Sequence, residues 1–408
     1  MIDNWQVWLN TNVNVTSNII IGKNIYFQGN KERLMISGNI CIIGYSRIYN
    51  ESALWDILEI KNDNPKKHSL EILIELYKKF GFEDMVELLE GEFSFLLVDY
   101  NIHGDESWLY LARDPFGIYP LYYYENTNQY QKKVQFEIEP KIYGFSSMID
   151  STIFQNQNTP FLSGHYQLFS HSHKVSSIWR RSYRPKLFYK LPFFSIYDYD
   201  NDNVKKIENQ NIKIKKAIDK RIQWILYKNP ELKKIKIGVL CLNSDKTNEF
   251  LNKFPKMEEY CEFIPIIPLN IQNEDKSVVF EWSNFITSYG SILQIEYMEK
   301  EYPTIITRIK QLLRSNDPYV IRSHFIPIII AKYVSENLSD IHHLFLGEEF
   351  TLDWIEKKYL ERCKRISNIY LDENMKGWAN IISIYGIEIY MPFLDRVLIQ
   401  DINPNGYL

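Results

Sequence analysis

The sequence predicts an α+β sandwich followed by an α/β domain built on a parallel sheet. Three observations lead there. Residues 1 to about 190 are rich in short apolar runs bounded by Gly, Asn or Asp, and one amphipathic helix interrupts them. The second half instead alternates strand-like with helix-like segments. At 408 residues the chain is long enough for two separate cores.

Taken in order, Asn18–Ile21, Asn39–Ile43 and Phe93–Val98 read as strands. Leu70–Tyr77 reads as a helix with apolar residues at helical spacing and Ser69 as its N-cap. The polar, aperiodic stretch Tyr197–Asn203 is the expected linker, which sets the domains at 1–196 and 204–408. A helix follows from about Val204 to Leu226. Strands are expected at Ile235–Leu240 and Cys261–Ile267, a helix over Ser277–Tyr289, and a third strand at Ile292–Tyr297. Helices near Thr304–Leu313 and Ile326–Glu336 then precede the strand His343–Leu346. Such alternation is what a parallel sheet requires, because each crossover must return the chain to the same edge.

Composition excludes several function classes. A hydrophobic content of 45% with 24% charged residues is that of an ordinary globular protein. The net charge of -4 argues against a nucleic acid or an anionic membrane as partner. The four cysteines (Cys41, Cys241, Cys261, Cys363) form no CxxC or Cys/His cluster, so each reads as a small core residue in a reduced setting. The sequence has no basic-then-apolar leader and no apolar run near the ~18 residues of a membrane span, so a cytoplasmic location is expected. His342-His343 reads as the polar entry to a strand, with no nearby residues to complete a metal site. The run Glu356–Arg365 carries opposite charges three or four apart, as a solvated helix face does.

Several segments, in shared order and spacing, resemble asparagine synthetases over nearly the whole chain. In the first half these are RIYN (Arg47–Asn50), LEGEFSFLLVD (Leu89–Asp99), ARDPFGIYPLYY (Ala112–Tyr123), YGFSS (Tyr143–Ser147) and SGHY (Ser163–Tyr166), ahead of Trp179. In the second they are GVL (Gly238–Leu240), DPYVIRS (Asp317–Ser323), Gly347-Glu348 and YGIEIYMPFLD (Tyr385–Asp395). The resemblance implies an N-terminal-nucleophile-hydrolase-like sandwich that releases ammonia from glutamine. It also implies an ATP-pyrophosphatase-like (adenine nucleotide alpha hydrolase-like) parallel-sheet domain, which uses ATP and Mg²⁺ to activate a carboxylate as its adenylate.

Residue by residue, the resemblance weakens at both sites. The family's glutaminase needs an N-terminal cysteine and an oxyanion hole from the Asn-Gly of "NGEIYN". Here the chain begins Met1-Ile2-Asp3, and the hexamer reads Tyr45-Ser46-Arg47-Ile48-Tyr49-Asn50. The thioether of Met1 has no ionisable proton, and losing a nucleophile costs about a millionfold in turnover. Cys41 lies in an apolar strand and reads as core. The expectation is a domain without glutaminase activity.

The family's phosphate loop "SGGLDS" corresponds to Leu242-Asn243-Ser244-Asp245-Lys246-Thr247, which has neither glycine and carries Lys246 at the Asp position. The acidic segment "GEGADE" reads Gly347-Glu348-Glu349-Phe350-Thr351-Leu352-Asp353, with Glu348 kept and Thr351 at the metal-holding Asp. Three readings stay open. The loop joins a strand to a helix with Thr247 or Asp245 as N-cap. Alternatively, Asn243, Ser244, Asp245, Lys246 and Thr247 bind nucleotide, with Lys246 supplying a fixed charge to the phosphates. In the third reading, Asp245, Glu349 and Asp353 rebuild a Mg²⁺ site in slipped register. If the domain is active, Glu348 and Lys246 are the expected catalytic residues, and Arg322 and Ser323 lie on the substrate side. Glu388 and Asp395 are read as scaffold.

The chain is therefore expected to be a pseudoenzyme, a scaffold or regulatory partner that forms a homo-oligomer or pairs with an active homologue. The alternative is an ATP-dependent amide-forming or cyclising enzyme acting on a peptide or amino acid. That second role resembles β-lactam synthetases and lasso-peptide cyclases, which also lack the cysteine but keep their ATP loops. The sequence ends soon after the segment closing at Asp395, where many relatives continue with further helices.

Overall fold

The computed structural model describes residues 5–9, 19–22, 25–60, 69–100, 106–125, 142–147, 159–172, 179–182, 184–189, 203–232, 234–240, 260–269, 278–281, 303–313, 328, 331–346, 382–383, 385–392 and 394–396. Two antiparallel sheets come first. One contains β1 (Trp5–Leu9), β2 (Ile19–Gly22), β3 (Ile25–Gly29), β8 (Tyr122–Glu125), β9 (Tyr143–Ser146) and β10 (Thr159–Pro160), in the order β10-β8-β9-β1-β3-β2. The other contains β4 (Leu34–Ser37), β5 (Ile40–Ile48), β6 (Gly91–Asp99), β7 (Glu106–Arg113), β11 (His165–Ser172) and β12 (Arg180–Arg181), in the order β12-β11-β7-β6-β5-β4. A seventh strand, β13 (Lys186–Leu187), also pairs with β11.

Period-two alternation explains how these sheets layer. On β5, Ile40 and Ile42 join Phe93, Phe95 and Leu97 of β6 beneath helices α1 (Glu51–Leu58) and α2 (Ser69–Leu88). The intervening Cys41, Ile43 and Tyr45 join Leu96 and Val98 and face Val7, Leu9 and Phe27 of the six-stranded sheet. The result is a helix–sheet–sheet sandwich with two apolar layers, in which each fully buried large side chain contributes about 1.5–3 kcal/mol.

α2 runs eleven residues past the expected Tyr77 and breaks at Gly81 (φ 79°, ψ 179°), where the regular spacing is interrupted. Ser69 is the first helical residue, not the cap. α1 has no counterpart among the expected elements; it buries Leu54, Trp55 and Leu58 on one side.

The second half holds a five-stranded, all-parallel sheet of β14 (Ile235–Leu240), β15 (Cys261–Leu269), β16 (Val278–Glu281), β17 (His343–Leu346) and β18 (Glu388–Tyr390). Its order is β16-β15-β14-β17-β18. Helix α3 (Asn203–Lys228) lays Ile214, Ala217, Ile218, Ile222 and Ile225 on Ile235, Ile237, Val239 and Phe345. Helix α4 (Pro303–Leu313) and helical residues 331–337 match two of the expected helices.

The helix expected over Ser277–Tyr289 is corrected at its start. Val278–Glu281 is a strand, paired with β15 through Ile266↔Val278 and Ile267↔Val279, because adjacent β-branched valines favour a pleated surface. The expected strand Ile292–Tyr297 lies outside the described residues, as do residues 197–202 of the expected linker. Among the described residues no helix is long and apolar enough to cross a membrane.

Candidate functional site

The residues standing at the "NGE" of the family's hexamer lie at the end of β5, where the sandwich meets β18 and α3. Tyr45, at the Asn position, is buried, stacked at 5.0 Å on the ring of Tyr119 and covered by the Arg33 guanidinium 4.3 Å above its centroid. Its side chain offers a phenol in place of an amide donor, and burial pushes that phenol up to about 12. Ser46 takes the Gly position.

Arg47, at the Glu position, is 5% exposed and forms the centre of the site. Its Nη1 donates to Glu92 Oε2 at 2.9 Å and to the Ile389 carbonyl of β18 at 2.7 Å. The guanidinium carbon sits 4.1 Å over the Tyr390 ring and 5.7 Å from that of Trp224. One arginine thus joins the sandwich to the parallel sheet. The other Glu92 oxygen, Oε1, accepts from the Tyr49 hydroxyl at 2.5 Å, so this buried carboxylate is held by two donors. The backbone closes tightly here, since a Cβ on Gly91 would fall 2.1 Å from the Arg47 carbonyl.

Around this centre lie further polar contacts, of which those of Lys220 and Lys228 also join the two halves. Arg221, on the buried stripe of α3, donates to Asp395 Oδ2 at 3.0 Å and to the carbonyls of Met391 and Leu394. Lys220 reaches Glu90 at 2.7 Å, and Lys228 reaches the buried Glu51 of α1 at 2.6 Å. Asp395 is thus held by both Arg221 and Lys220. Glu388 accepts from Tyr390 at 2.5 Å and lies 3.6 Å from His343 and 3.7 Å from Arg47. Desolvation pushes its carboxyl up although half of the side chain is exposed, but His343, Arg47 and Tyr390 outweigh that and hold it at about 2.

The cavity left among Tyr49, Glu90, Glu92, Phe116, Arg221 and Asp395 is about 10 Å³, room for about one water molecule. Cys41 is 2% exposed in the layer between the two sheets, and burial pushes its thiol up to about 12. A thiol so placed does not form the thiolate that nucleophilic attack requires.

The nucleotide-side candidates Asn243, Ser244, Asp245, Lys246, Thr247, Arg322, Ser323, Glu348, Glu349 and Asp353 lie outside the described residues, as do Cys241 and Cys363. The strands leading to them are described. β14 ends at Leu240 and β17 at Leu346, and these two residues are Cα partners in adjacent parallel strands. The order reverses between these strands, and the carboxyl ends flanking such a switch point are where open α/β sheets bind ligands. Segments 241–247 and 347–353 thus leave neighbouring strands at that edge. Among the described residues no group of three His, Cys, Asp or Glu side chains is arranged to hold a metal.

Sequence reasoning missed Glu92, Arg221, Lys228 and Tyr390. Arg221 left one signal, a cation one position before Ile222 on a stripe otherwise made of Ile214, Ala217, Ile218 and Ile225. Glu92 lay within the family-like segment Leu89–Asp99, but its pairing left no signal, since its partner lies 45 residues away.

The comparisons with known proteins agree with this architecture. A profile of the glutamine amidotransferase domain matches residues 25–141. The chain is 24% identical over 374 residues to "Asparagine synthetase [glutamine-hydrolyzing]" of Mus musculus, covering 86% of this chain and 62% of the relative. It is 22% identical over 374 residues to the Homo sapiens protein of that name, with the same coverage. With "Probable asparagine synthetase [glutamine-hydrolyzing]" of Acanthamoeba polyphaga mimivirus it shares 25% over 394 residues, 88% of this chain and 64% of the relative. The chain therefore spans a little under two thirds of the length of these relatives. Motif order, sheet architecture and these similarities agree in relating the chain to the asparagine synthetases.

Proposed function

We propose that the chain is a non-catalytic member of the asparagine synthetase family, a scaffold or regulatory partner with no glutaminase activity. In this reading the sandwich is a nucleophile-hydrolase fold without its chemistry, and the parallel sheet is a degenerate ATP-pyrophosphatase. Arg47 carries the proposal. Its guanidinium, two residues from the first changed oxyanion position, is already engaged by Glu92, Ile389 and Tyr390. A second copy of this chain or an active homologue is the partner class that such a role implies. Release of glutamate and ammonia from glutamine tests the reading: the purified protein is expected to give no more than a heat-denatured control, and steady turnover would refute it.

A second reading, ATP-dependent amide formation on a peptide or amino acid, is favoured by one observation. Leu240 and Leu346 pair, so the segments holding Lys246 and Glu348 leave one edge of the sheet at its switch point. In that reading Lys246 takes the phosphates, Asn243, Ser244 and Thr247 line them, and Asp245, Glu349 and Asp353 take Mg²⁺, with Arg322 and Ser323 toward the substrate. Calorimetric titration with ATP, with and without Mg²⁺, separates the two. Micromolar binding lost in Lys246→Ala supports the enzyme, whereas no heat at millimolar ATP supports the non-catalytic reading.

A further inference from the structure

On the outer, helix-side face of the seven-stranded sheet, residues of α1 and α2 pack with residues of β5, β6, β7 and β11. The break at Gly81 shapes what lies there. Its φ of 79° with ψ of 179° belongs to a region essentially restricted to glycine, and it redirects the chain so that Phe82 and Glu83 reach over β7 and β11. Phe82 stacks on Tyr110 at 4.2 Å with 10° between the rings, and it meets Tyr166 at 5.6 Å. Tyr110 is the Cα partner of Leu168, and Tyr166 is that of Lys186 on β13. These residues enclose a cavity of about 110 Å³, with Arg184 completing its rim. A cavity of roughly 150 Å³ accommodates benzene, so this one suits a body of about four or five carbons.

The charges at the rim select the ligand. Tyr166 Oη and Lys186 Nζ both donate to Glu83 Oε1, at 2.5 and 3.0 Å, and these bonds hold the Glu83 carboxyl below its ordinary value. Lys186 and Glu83 therefore cancel. Arg184 is exposed and has no ion pair among the described residues, so the pocket carries one uncompensated positive charge beside an aromatic floor. A guanidinium fork matches a carboxylate in bidentate geometry, and the rings match an aliphatic body. We propose that this cavity binds a small apolar monocarboxylate, with Arg184 holding the carboxylate and Phe82, Tyr110 and Leu168 receiving the hydrocarbon. The proposal does not depend on whether the chain is catalytic.

Calorimetry and ligand-observed NMR on the full chain test it with four probes: 3-methylbutanoate, the amine of the same shape, leucine, and inorganic phosphate. Saturable binding of 3-methylbutanoate is expected, with the amine and phosphate at least about tenfold weaker. Arg184→Gln, an exposed change, is expected to weaken the carboxylate by about tenfold or more, the value of one charge-assisted bidentate contact. Phosphate binding as well as the carboxylate would reduce the site to a surface cation and overturn the proposal. Leucine binding more tightly than 3-methylbutanoate would overturn the ligand class by recruiting Glu83. Unchanged binding in Arg184→Gln, or no saturation by 3-methylbutanoate, would overturn the site itself.

Discussion

Replacing Arg47 by Met strikes the contact that joins the sandwich to the parallel sheet. The side chains of Arg47 and Glu92 are 7% and 2% exposed, so deleting the cation strands a buried carboxylate whose remaining donor is the Tyr49 hydroxyl. Breaking a buried pair from one side costs about 3–5 kcal/mol. The lost bond to the Ile389 carbonyl adds about 1 kcal/mol, and the lost cation–π contact with Tyr390 up to about 2. Met regains about 2 kcal/mol by filling the apolar space, which leaves a net loss near 4 kcal/mol. Glu92→Gln keeps an acceptor for Tyr49 and costs about 2 kcal/mol. The double variant carries no buried charge at this pair, so its cost falls below the sum of the singles by about 2 kcal/mol or more. Urea unfolding followed by both tryptophan fluorescence and far-ultraviolet circular dichroism measures all four corners of the cycle. A loss under about 1 kcal/mol in Arg47→Met, or strict additivity in the double variant, would refute the reasoning.

Three further outcomes follow from the same geometry. With its thiol pushed up to about 12 by burial, Cys41 is expected to resist alkylation at pH 8 in the native protein and to react once urea unfolds it, as peptide mass mapping would read. Gly81→Ala has open space around the added methyl, yet the backbone conformation alone is expected to cost about 1–3 kcal/mol, measured as a lowered melting temperature. Burial is the largest influence on Asp114 and raises its carboxyl to about 7 against the pull of Arg113 and of the Ile118 and Phe116 amides. The folded state then keeps a proton that the unfolded chain releases near 4. This group's contribution is complete below pH 4 and lost as the pH rises to 7, and Asp114→Asn should flatten the stability profile over that window.

What was legible in the sequence is what local pattern controls. β14 and β17 fall on the residues expected, because an apolar run bounded by polar residues leaves few alternatives for a central parallel strand. The strands β5 and β6 were legible as the short apolar runs Asn39–Ile43 and Phe93–Val98. α1 was missed because eight residues give little more than two turns of periodicity, and α2 was shortened because Gly81 hides the resumption at Phe82, Met85 and Val86. Val278–Glu281 was misread because pairing with β15 decides its state, and that partner's contribution is not local. The same divide runs through the site. The changes at Tyr45, Ser46 and Arg47 were readable against the family hexamer. That Arg47 closes on a carbonyl 342 residues away was not, because such pairing exists only after both sheets are built.

The central claim is that no competent glutamine site remains beside Arg47. Intact-mass measurement after incubation with an electrophilic glutamine analogue tests it most directly, since a working site would be labelled at one equivalent and protected by glutamine. The account predicts unmodified mass for the native chain. A stoichiometric adduct that glutamine suppresses would contradict it.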